Sequence, residues 1–145
     1  MDSRYDALKL KNQLCFPLYA CSRNVIREYK PYLDRLDLTY TQYIAMLVLW
    51  EKGSLTVKEL GEELYLDSGT LTPLLKKLEA KGLITRKRST EDERNLILTL
   101  TKAGLSMRDD ALEIPQELAK KVPLNEEEIR TLYKLLHQIL QRQEG

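Results

Sequence analysis

No apolar run in this chain of 145 residues approaches the ~18 residues that a membrane span needs. The opening residues, Met1-Asp2-Ser3-Arg4-Tyr5-Asp6, lack the apolar core of a signal peptide, so a cytoplasmic location and no membrane partner are expected. Cysteine is scarce. The only two, Cys15 and Cys21, are expected to be reduced thiols in that compartment rather than a structural bridge. Histidine is scarcer still: His137 falls in the last predicted helix and reads as a surface or interface residue. No cluster has metal-ligand spacing, so no metal and no other cofactor is expected. An enzyme using Cys15 as a thiol peroxidase is disfavoured, because the thiol has neither a Thr-x-x-Cys loop nor an arginine close in sequence. Internal repeats and low-complexity segments are absent too.

The net charge of +1 is too small for a protein that coats nucleic acid indiscriminately. Its distribution says more. Between Thr72 and Arg94 lie Lys76, Lys77, Lys81, Arg86, Lys87, Arg88 and Arg94, against the acids Glu79, Glu91, Asp92 and Glu93. Glu126, Glu127 and Glu128 restore the balance near the C-terminus. A local basic field on a neutral chain fits a protein that meets one polyanion through one face. A content of 43% hydrophobic and 31% charged residues suits one soluble domain with a substantial core.

Helical spacing begins near Leu8 and runs to Tyr29, with Leu14, Leu18, Ser22, Val25 and Tyr29 on one stripe and Cys15, Tyr19 and Ile26 beside it. Pro17 predicts a kink or a late start, and Lys30-Pro31 predicts the end. Thr39 with Gln42 forms a capping box, stapled by Leu38 and Tyr43, that opens an apolar helix ending at Gly53. Thr56 with Glu59 opens a second helix, followed by a turn at Tyr65-Leu66-Asp67. Next, Leu71, Leu74, Leu75 and Leu78 mark one helix face, while Ser68, Gly69, Thr70 and Thr72 place only small polar groups opposite it. Such a surface lets a helix backbone approach the base edges of a major groove. Taken alone, it equally suits an ordinary amphipathic helix with a Ser/Thr-rich cap. Propensity would start this helix at Thr72, because Pro73 fits best at a first position.

The neighbouring hairpin tips the balance. Lys81-Gly82 closes the helix, and residues 83–88 and 95–100 read as two strands around a polar tip, Ser89 to Glu93. Two short helices at a turn, then a basic hairpin, make a winged helix-turn-helix over 39–100, in a chain that is mainly α with a small β-wing. Thr101 caps a long helix that Pro115 interrupts, and Asn125 with Glu128 opens the last one, which carries Ile129, Leu132, Leu136 and Ile139. The helices over 8–30 and 102–143 have apolar surface beyond what the winged unit needs, so they are expected to form a homodimer interface.

The ordered set Leu66-Asp67-Ser68-Gly69-Thr70-Leu71-Thr72-Pro73-Leu74-Leu75, Gly82-Leu83-Ile84 and Asp92-Glu93-Arg94 resembles the MarR family of winged-helix repressors. Asn12-Gln13-Leu14-Cys15-Phe16, then Tyr29-Lys30-Pro31 and Leu38-Thr39-Tyr40, resemble its organic-hydroperoxide-sensing branch, OhrR. The match covers most of the chain and is weakest beyond about Pro115. It implies an early start for the helix, capped by Asp67 or Ser68, with Pro73 tolerated inside. It implies an obligate homodimer whose two recognition helices enter successive major grooves of a pseudo-palindromic double-stranded operator. Arg94 matches a wing arginine that enters the minor groove and Asp92 the acid that orients it, in keeping with the pull of a narrow groove on arginine. Lys76, Lys77, Arg86 and Arg88 are candidates for phosphate contact, or else solvated charges.

The same resemblance makes Cys15 a peroxide sensor, where the residues alone would leave an inert packing thiol. Tyr29 and Tyr40 match tyrosines whose hydroxyls approach this sulfur across the dimer, and Tyr19 matches a third. A phenol donating to sulfur favours the thiolate, the form that attacks a peroxide. An organic hydroperoxide is then the inducer, and a small cellular thiol closes the sequence as a mixed disulfide on Cys15. No second cysteine lies near the C-terminus, and Cys21 stands about 9 Å along the helix, so an intrachain bridge would require unravelling. Pro17, two residues from the sulfur, either tilts it or frees a helix N-terminus beside it. The competing readings are a MarR-type repressor released by a small phenolic ligand, and a winged helix that serves protein contacts.

Overall fold

A computed structural model describes residues 3–91 and 95–144. They form two compact units, one up to Ile114 and one from Pro115. No helix among the described residues is long and apolar enough to cross a membrane.

Two short 3-10 turns, Ser3–Leu8 and Leu10–Asn12, precede α1 (Cys15–Leu36). The late start expected from Pro17 is met: proline sits in the first turn, where its missing N–H has no intrahelical partner to lose. The expected end at Lys30-Pro31 is corrected, since α1 continues to Leu36 with Pro31 inside it. Pro31 costs the helix its bond to the Arg27 carbonyl, but both residues are exposed, so that carbonyl is not stranded in the core. What ends α1 is Asp37 in the left-handed region (φ 55°), with the Leu38 N–H donating to the Leu33 carbonyl. Leu33 and Leu38 are both buried, so the hydrophobic contact, not the proline, sets the length.

The capping box at Thr39 and Gln42 then opens α2 (Tyr40–Lys52), which Gly53 closes. The strand β1 (Ser54–Thr56) leads into the second box and α3 (Val57–Leu64). Tyr65, again left-handed, makes the turn to α4 (Ser68–Ala80). Asp67 caps α4 by accepting from the Thr70 N–H at 2.8 Å, so the early start holds and Pro73 lies inside the helix. The proline leaves the Gly69 carbonyl without its helical donor, but Gly69 faces solvent. The turn between α3 and α4 is tight enough that a Cβ on Gly61 would stand 2.8 Å from the Leu66 carbonyl oxygen.

β2 (Ile84–Arg88) and β3 (Leu96–Leu100) form the expected hairpin, with Arg86 opposite Leu98 and Arg88 opposite Leu96. The sheet has a third member that the sequence did not announce: β1 pairs antiparallel with β3, giving the order β1-β3-β2. Beneath it the winged unit closes a core of Tyr43, Met46, Leu49, Leu55, Leu60, Leu71, Leu75, Leu78, Ile84 and Leu98. Thr101 caps α5 (Lys102–Ala111), and the Gly104 carbonyl accepts from the Trp50 indole at 2.8 Å.

Helix α6 (Ile114–Ala119) begins after the break expected at Pro115, which takes its second position. In the second unit α7 (Glu126–Glu144) starts at the Asn125–Glu128 box, both of whose hydrogen bonds are present. Of its expected stripe, Ile129, Leu132 and Ile139 are exposed and Leu136 is half-buried, while Leu135 beside them is 49% exposed.

Candidate nucleic-acid interface and sensor region

The outward face of α4 is dictated by its inward one. Leu71, Leu74, Leu75 and Leu78 are buried at helical spacing, which turns Ser68, Gly69, Thr70, Thr72 and Lys76 to solvent. The Thr72 hydroxyl donates to the Ser68 carbonyl at 2.8 Å, leaving its oxygen to accept. Hydrogen bonds from Thr70 hold the Asp67 carboxyl below the usual carboxylate range, so the cap stays ionised.

Next along the chain, the Arg86 guanidinium reaches back to Glu79 at the end of α4, with Nη2 2.9 Å and Nε 3.2 Å from the same oxygen. That bond lowers the Glu79 carboxyl and orients Arg86, which is half-buried; Lys87 and Arg88 are exposed. Asp92 and Arg94 lie outside the described residues.

The candidate sensor residues fall into two places. Cys15 is the first residue of α1 and is exposed, as is Cys21. Tyr29 and Tyr40 meet, their ring centroids 5.0 Å apart and their planes at 57°. Tyr43 completes a cluster at 5.6 Å from Tyr29 and 6.3 Å from Tyr40. The sequence showed Tyr43 only as half of a staple; its spacing of three from Tyr40 on one helix was the available signal. Burial raises all three phenols above their ordinary value; neighbouring rings add to this at Tyr29 and Tyr43, and Tyr43 is pushed up to about 12. They are therefore neutral donors at physiological pH. Tyr19 is not in the cluster: it is exposed, with the Arg23 guanidinium 5.4 Å from its ring centroid.

Cys15 and Tyr29 belong to one helix, fourteen residues apart, so about 21 Å of rise separates them within a chain. A sulfur at one end and a phenol pair near the other come together only if two copies of α1 run against each other. The α1 face that also carries Cys15 and Tyr29 presents Leu18, Val25 and Ile26, all 37% exposed or more.

A further link escaped the sequence. Lys81, which caps the C-terminus of α4, directs its ammonium to the Asp37 carbonyl and to Gln42 Oε1, 3.0 Å away. Gln42 was legible as a capping residue, but nothing in the spacing tied it to a lysine thirty-nine positions on. Among the described residues no group of three or more His, Cys, Asp or Glu is placed to hold a metal ion.

The fold and the sequence are matched among known proteins. The family described as Transcriptional regulator SarA/Rot matches residues 27–111. The Organic hydroperoxide resistance transcriptional regulator of Bacillus subtilis is 50% identical over 141 residues, 97% of this chain and 96% of that one. Two structures of AbfR of Staphylococcus epidermidis superpose with a TM-score of 0.80. The reduced protein bound to DNA is 34% identical, covering 98% of this chain and 99% of its own. The overoxidized protein bound to DNA is 35% identical, covering 96% and 98%. With its winged helix-turn-helix and the paired phenols of α1 and α2, the chain belongs to the MarR-type transcriptional regulators, in the organic-hydroperoxide branch OhrR, and is a regulator rather than an enzyme.

Proposed function

We propose that the protein is a cytoplasmic, homodimeric repressor that leaves a pseudo-palindromic operator when an organic hydroperoxide oxidises Cys15. The observation that carries the reading is the Tyr29–Tyr40 pair, two neutral phenols with ring centroids 5.0 Å apart, one on α1 and one on the first helix of the winged unit. In the dimer, two copies of α1 set Cys15 of one subunit against the other's Tyr29 and Tyr40, with Tyr19 lining the approach. In that arrangement the phenols donate to the sulfur of Cys15, the first residue of α1. The thiolate attacks the terminal peroxide oxygen, the O–O bond breaks, and the alkoxide leaves as the alcohol after taking a proton. The resulting sulfenic acid condenses with a small thiol, forming a mixed disulfide and water. That adduct is too large for the phenol site and drives the tyrosine-bearing helices apart. Because overoxidized AbfR is itself a DNA complex, the mixed disulfide is the better candidate for the releasing product.

On DNA, Ser68, Gly69, Thr70 and Thr72 face the bases of the major groove, and Lys76 meets phosphate. Arg86 braces the wing to α4 through Glu79 and offers the rest of its fork to phosphate. Arg94, oriented by Asp92, enters the minor groove. Replacing Cys15 by Ser tests the switch. The variant should bind operator as tightly as the reduced wild type and ignore cumene hydroperoxide. Release of the variant by peroxide would leave Cys15 incidental and favour a repressor emptied by a small phenolic ligand.

A further inference from the structure

Three elements converge on one ammonium. Lys81 closes α4, and its Nζ donates to the carbonyl of Asp37, which closes α1, and to Oε1 of Gln42, which opens α2. The Asp37 carboxylate stands 3.7 Å away. Gln42 is buried, and the same Oε1 accepts from the Thr39 N–H at 3.0 Å, so the amide cannot turn without breaking the box that starts α2. The first residue of that helix is Tyr40; Tyr29 lies on α1, two turns before Asp37. The junction between the phenol-bearing helices is therefore pinned by the far end of the helix that presents Ser68 to Thr72.

We propose that Lys81 is the positioning residue that passes the movement of α1 and α2 to the recognition helix. This rests on the peroxide-release reading above. Displacing Tyr40 from Tyr29 shifts the first turn of α2 against the end of α1, which moves the two acceptors of Lys81 apart. The ammonium follows one of them or loses one bond. Its side chain is 29% exposed, so water makes up that loss only in part. Either way the C-terminal end of α4 moves. With a length of about 20 Å, the helix converts a small rotation at Lys81 into a displacement of Ser68 to Thr72 in the groove.

The test compares operator affinity of the reduced and the peroxide-treated protein, and reads the ratio of the two. Lys81→Met keeps the length of the side chain and removes its donors; Lys81→Gln is a second variant without the charge; Lys81→Arg keeps donors and charge. The ratio should fall about tenfold in Lys81→Met and in Lys81→Gln, and be restored in Lys81→Arg. A lysine that only stabilises the fold, or only touches phosphate, would change both affinities together and leave the ratio alone. An unchanged ratio in Lys81→Met therefore overturns the proposal. A wild-type ratio of one is a different failure: it removes the peroxide switch itself, and this coupling with it.

Discussion

At the scale of single residues, the tyrosine cluster is where environment changes chemistry most. Tyr43 is 2% exposed and packed against two other phenols, so ionising it inside the fold is costly, and its value is pushed up to about 12 from an unfolded value near 10. A group whose folded value is raised lends stability that is whole below the unfolded value and is lost as pH rises through the folded one. The cluster should therefore make the protein progressively easier to unfold between about pH 10 and about pH 12, where the unfolded chain ionises first. Tyr43→Phe should flatten that alkaline loss, as followed by urea unfolding at several pH values. An unaltered slope would show that other groups govern it. Tyr43 also marks a limit of sequence reading. Its burial against Tyr29 depends on how α1 crosses α2, which helical spacing cannot express. Tyr29 and Tyr40 were named through family resemblance, whereas their 5.0 Å approach is a product of tertiary packing.

At the scale of elements, the local signals were strong wherever a side chain answers to its own backbone. The capping boxes at Thr39, Thr56 and Asn125 each form both of their hydrogen bonds, Thr101 caps as read, and of the two candidate caps for α4 it is Asp67 that accepts. Signals failed where distant contacts overrule local preference. Pro31 did not end α1, because Leu33 and Leu38 reward two further turns. The three residues of β1 are too few to show alternation, and they are a strand only because β3 lies beside them. The helix-turn-helix corner depends on Gly61 in the same way. An added Cβ would sit 2.8 Å from the Leu66 carbonyl oxygen and 3.1 Å from Leu71 Cδ1, and the backbone oxygen cannot swing aside. Gly61→Ala should cost about 1–3 kcal/mol of stability by urea unfolding, and weaken operator binding as α4 shifts. Gly69→Ala is the control: its nearest contact would be an ordinary 3.6 Å, so stability should hold. Equal stability of the two variants would mean that the corner is not tight.

At the scale of the whole molecule, one chain exposes more apolar helix than a monomer has reason to. Phe16, Leu18, Val25 and Ile26 on α1 and Ile129, Leu132, Leu135 and Ile139 on α7 are each left open to solvent. A second copy covers such faces most simply, and under the proposed function it is also what would bridge the rise of about 21 Å between Cys15 and Tyr29 of its own chain. The sequence carried the surplus of apolar stripes plainly. How two copies would meet is beyond it, because no residue pattern within one chain records where another chain lies. Under the proposed function, sensor and reader are parts of one object, in which a covalent change between subunits alters the spacing of two recognition helices. The decisive measurement tracks both ends together. Reduced protein on its operator is given one equivalent of cumene hydroperoxide per Cys15 with a small thiol present, and DNA binding and intact protein mass are read at each time point. Operator loss should keep step with the mass of one thiol adduct, mapped to the peptide that holds Cys15. Release while Cys15 is still a free thiol, or a fully adducted Cys15 on protein still bound to DNA, would contradict the switch.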